Sequence, residues 1–89
     1  MPVNMENKSE KLRDACQLAL DTFKKVKNPV FNEIIAKLEF VIGSYDFDKN
    51  PVGLIEFGKV SLEMLKEIKK KSPKKFSKEV ITKLEESLF

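Results

Sequence analysis

The sequence predicts an all-α fold, a small antiparallel four-helix bundle running up-down-up-down. Three observations carry that prediction. Apolar residues recur at three- and four-residue spacing along most of the chain, the mark of helices with one buried face. Gly (3) and Pro (4) are scarce among the 89 residues, while Lys, Glu and Leu are plentiful, a composition that favours helices over strands. Asn28-Pro29, Asn50-Pro51 and Ser72-Pro73 divide the chain into four segments. The loops between them are short, and short loops favour antiparallel neighbours.

The first helix is expected over about residues 7–25. Leu12, Ala15, Cys16, Ala19, Leu20, Phe23 and Val26 form its stripe, and Asn7 with Glu10 has capping spacing. Lys24, Lys25 and Lys27 follow at the end where the helix dipole favours cations. Asn28 then caps a second helix with Pro29 at its first position. That helix is expected over 29–45, with Phe31, Ile34, Ile35, Leu38, Val41, Ile42 and Tyr45 on one face. Asp46 to Lys49 reads as a polar linker interrupted by Phe47.

Asn50-Pro51 repeats the Asn-Pro entry and opens a third helix over 51–71. Its apolar positions, from Leu54 to Ile68, cover more than half the circumference at about 100° per residue. Such a helix touches several neighbours, and the small residues Gly58 and Ser61 let one of them approach closely. Ser72-Pro73 ends it, because proline disfavours helical geometry in the residue before it. A short fourth helix is expected over 78–88, capped by Ser77, with Phe76 and Ile81 at staple spacing. The alternative arrangement is a three-helix core with this last helix at the periphery.

A chain of this length suits one helical domain over residues 1–89. At 42% hydrophobic and 35% charged it has enough apolar content for a core. Only about 60% of the unfolded surface is buried at this size, so modest stability is expected. The single cysteine, Cys16, excludes a disulfide scaffold within the chain and suits a reducing compartment. Met1-Pro2-Val3-Asn4-Met5-Glu6 lacks the basic-then-apolar pattern of a secretory signal. No apolar run approaches the roughly 20 residues that span a bilayer. The expected location is cytoplasmic.

The net charge is +3, but lysine is concentrated. From Lys66 to Lys78 seven lysines stand against one acid, Glu67. In an up-down bundle the first and third helices end at one pole. Lys24, Lys25, Lys27, Lys69, Lys70, Lys71, Lys74 and Lys75 then become candidate polyanion contacts. Glu6, Glu10, Asp46, Asp48, Glu85 and Glu86 would gather at the other pole. The plainer explanation is that lysines suit helix C-termini and keep a small protein soluble. It is favoured by the absence of arginine from the cluster and by a pI near 9.0, only at the threshold for nucleic-acid binding.

Asp48-Lys49-Asn50-Pro51-Val52-Gly53-Leu54-Ile55 resembles the start of an EF-hand calcium loop, with Asp48, Asn50 and Gly53 in register. Val52 and Lys59 occupy the places of an oxygen ligand and of the bidentate glutamate. Starting instead at Asp46 puts Pro51 at the turn glycine, so no metal site is expected. Catalytic parts are missing as well. The chain has no histidine, the commonest general base. Cys16 sits in an apolar stripe with nothing to activate it. No cofactor motif is present, and the expected function is non-enzymatic.

Phe40 lies opposite the buried stripe of its helix, among Glu33, Ala36 and Lys37. Phe57, Val60 and Met64 form a second stripe on the third helix. If the fourth helix leaves these uncovered, Phe40, Phe57, Val60 and Met64 make a contact surface for a protein partner or a homodimer. In size, helix count and lysine content the chain resembles the small four-helix bacteriocin immunity proteins. That resemblance is one of fold and implies no residue roles. Three functions are therefore weighed. A protein-interaction or self-associating module leads, followed by polyanion binding at the lysine pole and an immunity-like role near a membrane.

Overall fold

The computed structural model of the chain describes residues 3–74, 76 and 78–88. Four helices follow in order: α1 (Val3–Val26), α2 (Asn32–Asp48), α3 (Val52–Lys71) and α4 (Glu79–Leu88). A 3-10 turn, Pro29–Phe31, precedes α2, and no strand occurs among the described residues.

The two Asn-Pro entries work alike. Asn28 Oδ1 accepts the N–H of Val30 at 3.1 Å, and Asn50 Oδ1 accepts the N–H of Val52 at 3.1 Å. Each side chain satisfies a donor that the first turn leaves open. After Asn28 the first turn is 3-10 rather than α, closed by Phe31 N–H to Asn28 C=O at 2.9 Å. This tighter winding brings the Phe31 ring against Phe23, with centroids 4.9 Å apart.

Three boundaries differ from the sequence expectation. α1 begins at Val3 rather than near Asn7, since no glycine or proline between them interrupts it. α2 runs on to Asp48, so Asp46, Phe47 and Asp48 form its last turn and not a linker. α4 starts at Glu79, and its expected cap Ser77 lies outside the described residues. Lys27 (φ 58) and Lys49 (φ 60) take the left-handed conformation that ends α1 and α2, a place usually given to glycine.

Side-chain ties fix the topology. The Arg13 guanidinium donates to both oxygens of Asp46, from Nε at 3.1 Å and Nη2 at 3.0 Å. The Tyr45 hydroxyl donates to Glu10 Oε2 at 2.8 Å. Lys24 pairs with Glu39 at 3.0 Å nearer the other end of α1. The start of α1 therefore meets the end of α2, and the two are antiparallel. Gly53 against Val41 places the start of α3 beside the middle of α2, and Lys66 pairs with Glu85 at 3.1 Å across α3 and α4. The bundle runs up-down-up-down, with α2 and α4 at opposite corners.

The core takes the expected stripes. Leu12, Ala15, Cys16, Ala19, Leu20 and Phe23 are buried from α1, and Ile34, Leu38, Val41, Ile42 and Tyr45 from α2. α3 adds Leu54, Leu62 and Leu65. Its small residues do admit α1: a Cβ on Gly58 would lie 3.4 Å from Leu12 Cδ1 and 3.5 Å from Cys16 Sγ. α4 is part of this core and not a peripheral addition, because Val80 and Leu84 are buried in it. Each fully buried leucine contributes about 1.5–3 kcal/mol.

Candidate interaction surfaces

The corner position of α4 decides the fate of the second stripe on α3. α4 packs on α1 and α3 from the side away from α2, so it leaves the α2–α3 seam uncovered. Phe40 is 74% exposed and Val60 43% exposed, while Phe57 and Met64 are half-buried. All four line two adjoining grooves on that one seam. The first, of about 240 Å³, is bounded by Val30, Lys37, Phe57, Val60 and Met64. The second, of about 450 Å³, is bounded by Ala36, Lys37, Phe40 and Phe57. Lys37 extends over the Phe57 ring with its ammonium 5.6 Å from the centroid. A cation in that position covers an apolar ring while staying hydrated itself.

The longer α2 adds a residue that the sequence reading left in a linker. Phe47 is 91% exposed on the last turn of the helix. It stands seven residues after Phe40 on the same outer face, with Ala36 and Gly43 also exposed there. Ala36, Phe40, Gly43 and Phe47 follow a 4-3-4 spacing, a second apolar stripe opposite the buried one. Reading that spacing as helical was the signal available in the sequence.

The lysine-rich pole is only partly available. Lys24 is engaged by Glu39. Lys69 turns back on the α3–α4 loop, where its ammonium donates to the carbonyl of Pro73 at 2.6 Å and to that of Phe76. The same ammonium lies 5.2 Å from the Phe76 ring centroid. Lys69 thus organises a loop. Lys25, Lys27, Lys70, Lys71 and Lys74 are exposed, and Lys75 lies outside the described residues. Lys25 borders a groove of about 560 Å³ with Leu18, Thr22, Phe76 and Val80. The Thr22 hydroxyl there donates to the Leu18 carbonyl at 2.8 Å.

The opposite pole is mixed rather than acidic. Arg13 holds the Asp46 carboxyl below its ordinary value through the paired hydrogen bonds. Lys49 reaches Glu10 at 3.6 Å, and Glu85 is paired with Lys66. The stretch resembling a calcium loop is spent on helix ends. Asp48 Oδ1 accepts the Asn50 N–H at 3.0 Å, Asn50 Oδ1 accepts the Val52 N–H at 3.1 Å, and Gly53, Ile55 and Lys59 are inside α3. No group of three His, Cys, Asp or Glu side chains among the described residues is placed to hold a metal ion.

Cys16 is fully buried, and burial pushes its thiol up to about 12. The thiol donates weakly to the Leu54 carbonyl at 3.7 Å. It is a small core side chain held in the protonated, unreactive form. Among the described residues, no helix is long and apolar enough to cross a membrane. Comparisons of the chain with protein-family models, with curated proteins and with solved structures returned no match.

Proposed function

We propose that the chain is a non-enzymatic protein-interaction module whose working surface is the outer face of α2 and α3. The observation that carries this reading is the gathering of Phe40, Phe57, Val60 and Met64 around one uncovered seam. Scattered apolar residues on a surface are ordinary, whereas a continuous apolar seam rimmed by charge marks a contact site. Glu33 and Lys37 supply such a rim. The half-buried Phe57 and Met64 are anchored in the core cluster, so the floor of the seam is rigid, and a rigid floor loses little entropy on docking.

The test is an NMR titration with a fluorescent dye of the class that binds exposed apolar surface. Saturable shifts are expected at the Phe40 and Phe57 rings and the Val60 and Met64 methyls, with the α1–α4 side unchanged. Absence of shifts at these four residues refutes the reading.

Polyanion binding is the second reading, favoured by the parallel course of α1 and α3, which brings Lys25, Lys27, Lys70, Lys71 and Lys74 to one end. The engagement of Lys24 and Lys69 within the chain weakens it. A DNA or RNA titration at two salt concentrations decides it, because binding carried by phosphate contacts weakens steeply with salt.

A further inference from the structure

The outer stripe of α2 is built to fit itself. Its four positions alternate small and large: Ala36, Phe40, Gly43, Phe47. The two phenylalanines project into solvent, 74% and 91% exposed. Between them Gly43 is open, since a Cβ placed there would meet nothing within 4 Å. The 4-3-4 spacing is that of a coiled-coil seam, in which each knob needs a hole on the facing helix.

We propose that this stripe docks a second copy of the chain, α2 against α2 antiparallel about a two-fold axis. The proposal rests on the reading of the α2–α3 face as a docking surface and names its occupant. An axis crossing α2 midway between Phe40 and Gly43 sets Phe40 over the partner's Gly43. The same axis sets Phe47 over the partner's Ala36. Every large side chain then faces a small one, on both copies at once, which is what an isologous interface requires. A parallel pairing would stack phenylalanine on phenylalanine and leave a void at the paired glycines.

Charge and area agree with this occupant. Glu39 and Asp46 flank the stripe on the α1 side, and the same axis brings Glu39 of one copy toward Asp46 of the other. Each is already paired within its chain, Glu39 with Lys24 at 3.0 Å and Asp46 with Arg13 at 3.0 Å. The approach therefore opposes neutralised flanks. At the exposures given, Phe40 and Phe47 together offer roughly 330 Å² per chain. A small specific interface needs about 600 Å² per partner. The aromatics supply over half of that, and the Ala36 and Gly43 backbone with neighbouring Glu33, Lys37 and Ser44 lies beside them. The expected product is a weak, reversible dimer.

Sedimentation velocity from about 10 µM to about 1 mM tests it. The wild-type chain should shift from monomer to dimer across that range. Phe40→Ser should weaken association at least about tenfold, and its side chain is too exposed for the change to disturb the fold. Gly43→Leu is the sharper variant. It adds apolar surface and removes a helix-weakening glycine, yet it fills the recess that receives Phe40, so association should also fall about tenfold. A wild-type chain that stays monomeric throughout overturns the proposal. So does a Gly43→Leu variant that associates as tightly as the wild type or more so, which would reveal unspecific stickiness. A strict monomer whose Phe40 and Met64 still respond to the apolar dye overturns self-pairing alone and leaves the docking surface standing.

Discussion

Replacing Cys16 by alanine should destabilise the protein at neutral pH and stabilise it in alkali. The thiol is fully buried and sits 3.7 Å from the Leu54 carbonyl. Deleting one heavy atom from a packed core costs about 1 kcal/mol through lost transfer energy and the void left behind. Burial raises the thiol from 9.0 to about 12. Above 9.0 the unfolded thiol ionises while the folded one keeps its proton, so the unfolded state binds fewer protons. Stability is therefore full below that value and falls as pH rises toward about 12. At about pH 10.5 the loss from this one group is about 2 kcal/mol, larger than the cost of the void. Alanine has no proton to lose, and every other group is common to both proteins, so the difference between them isolates the thiol. Urea unfolding followed by circular dichroism, in the presence of reductant, at about pH 8 and about pH 10.5 measures it. The variant should be the less stable protein at the first and the more stable at the second. An unchanged difference between the two would refute the argument that the thiol is held protonated by burial.

Two helical glycines should behave oppositely. Gly43→Ala places its Cβ in open space and should stabilise the fold by about 1 kcal/mol through helix propensity. Gly53→Ala sets a Cβ 2.8 Å from Val41 Cγ1 and should destabilise it by about 1–2 kcal/mol. Thermal melts at low concentration should rank the two variants on either side of the wild type. Leu84→Ala should cost about 3 kcal/mol, since that side chain is fully buried, and hydrogen exchange should show the α4 amides opening first. Because Arg13 lowers the Asp46 carboxyl, the stability it confers is present above 3.8 and is lost as pH falls through the depressed value. The difference in melting temperature between wild type and Arg13→Met should accordingly shrink in acid.

The helix stripes were legible because burial follows period. Leu12 through Phe23 and Ile34 through Tyr45 are buried where their spacing places them. Helix ends were less legible. Lys27 and Lys49 occupy left-handed positions for which sequence offers glycine or asparagine as the signal, and neither is present. The last turn of α2 contains Asp46 and Asp48, which look like a linker until Arg13 clamps Asp46 from another helix. That contact joins residues 33 positions apart, out of reach of any local pattern. The helical continuation through Asp48 is what places Phe47 on the face of Phe40, and that continuation depends on the distant Arg13. Phe40, Phe57, Val60 and Met64 were identifiable singly, and the placement of α4 opposite α2 is what unites them. Lys69 counted as a surface charge because nothing in its neighbours shows a long side chain folding back on two carbonyls.

The ion pairs divide the molecule in a way that bears on how its halves find one another. Arg13 with Asp46, Lys24 with Glu39 and Lys49 with Glu10 stitch α1 to α2. Lys66 with Glu85 stitches α3 to α4. Each hairpin is fastened by its own charges, which salt screens. Among the described residues the joint between hairpins is mainly apolar, with the Cys16 thiol on the Leu54 carbonyl and Lys37 over the Phe57 ring among its polar contacts, and apolar contact alone would let one hairpin slide along the other. Steric notches forbid the sliding. Val41 of the first hairpin seats against Gly53, and Leu12 and Cys16 seat against Gly58. Two missing side chains thus act as keyways that lock the register of the halves.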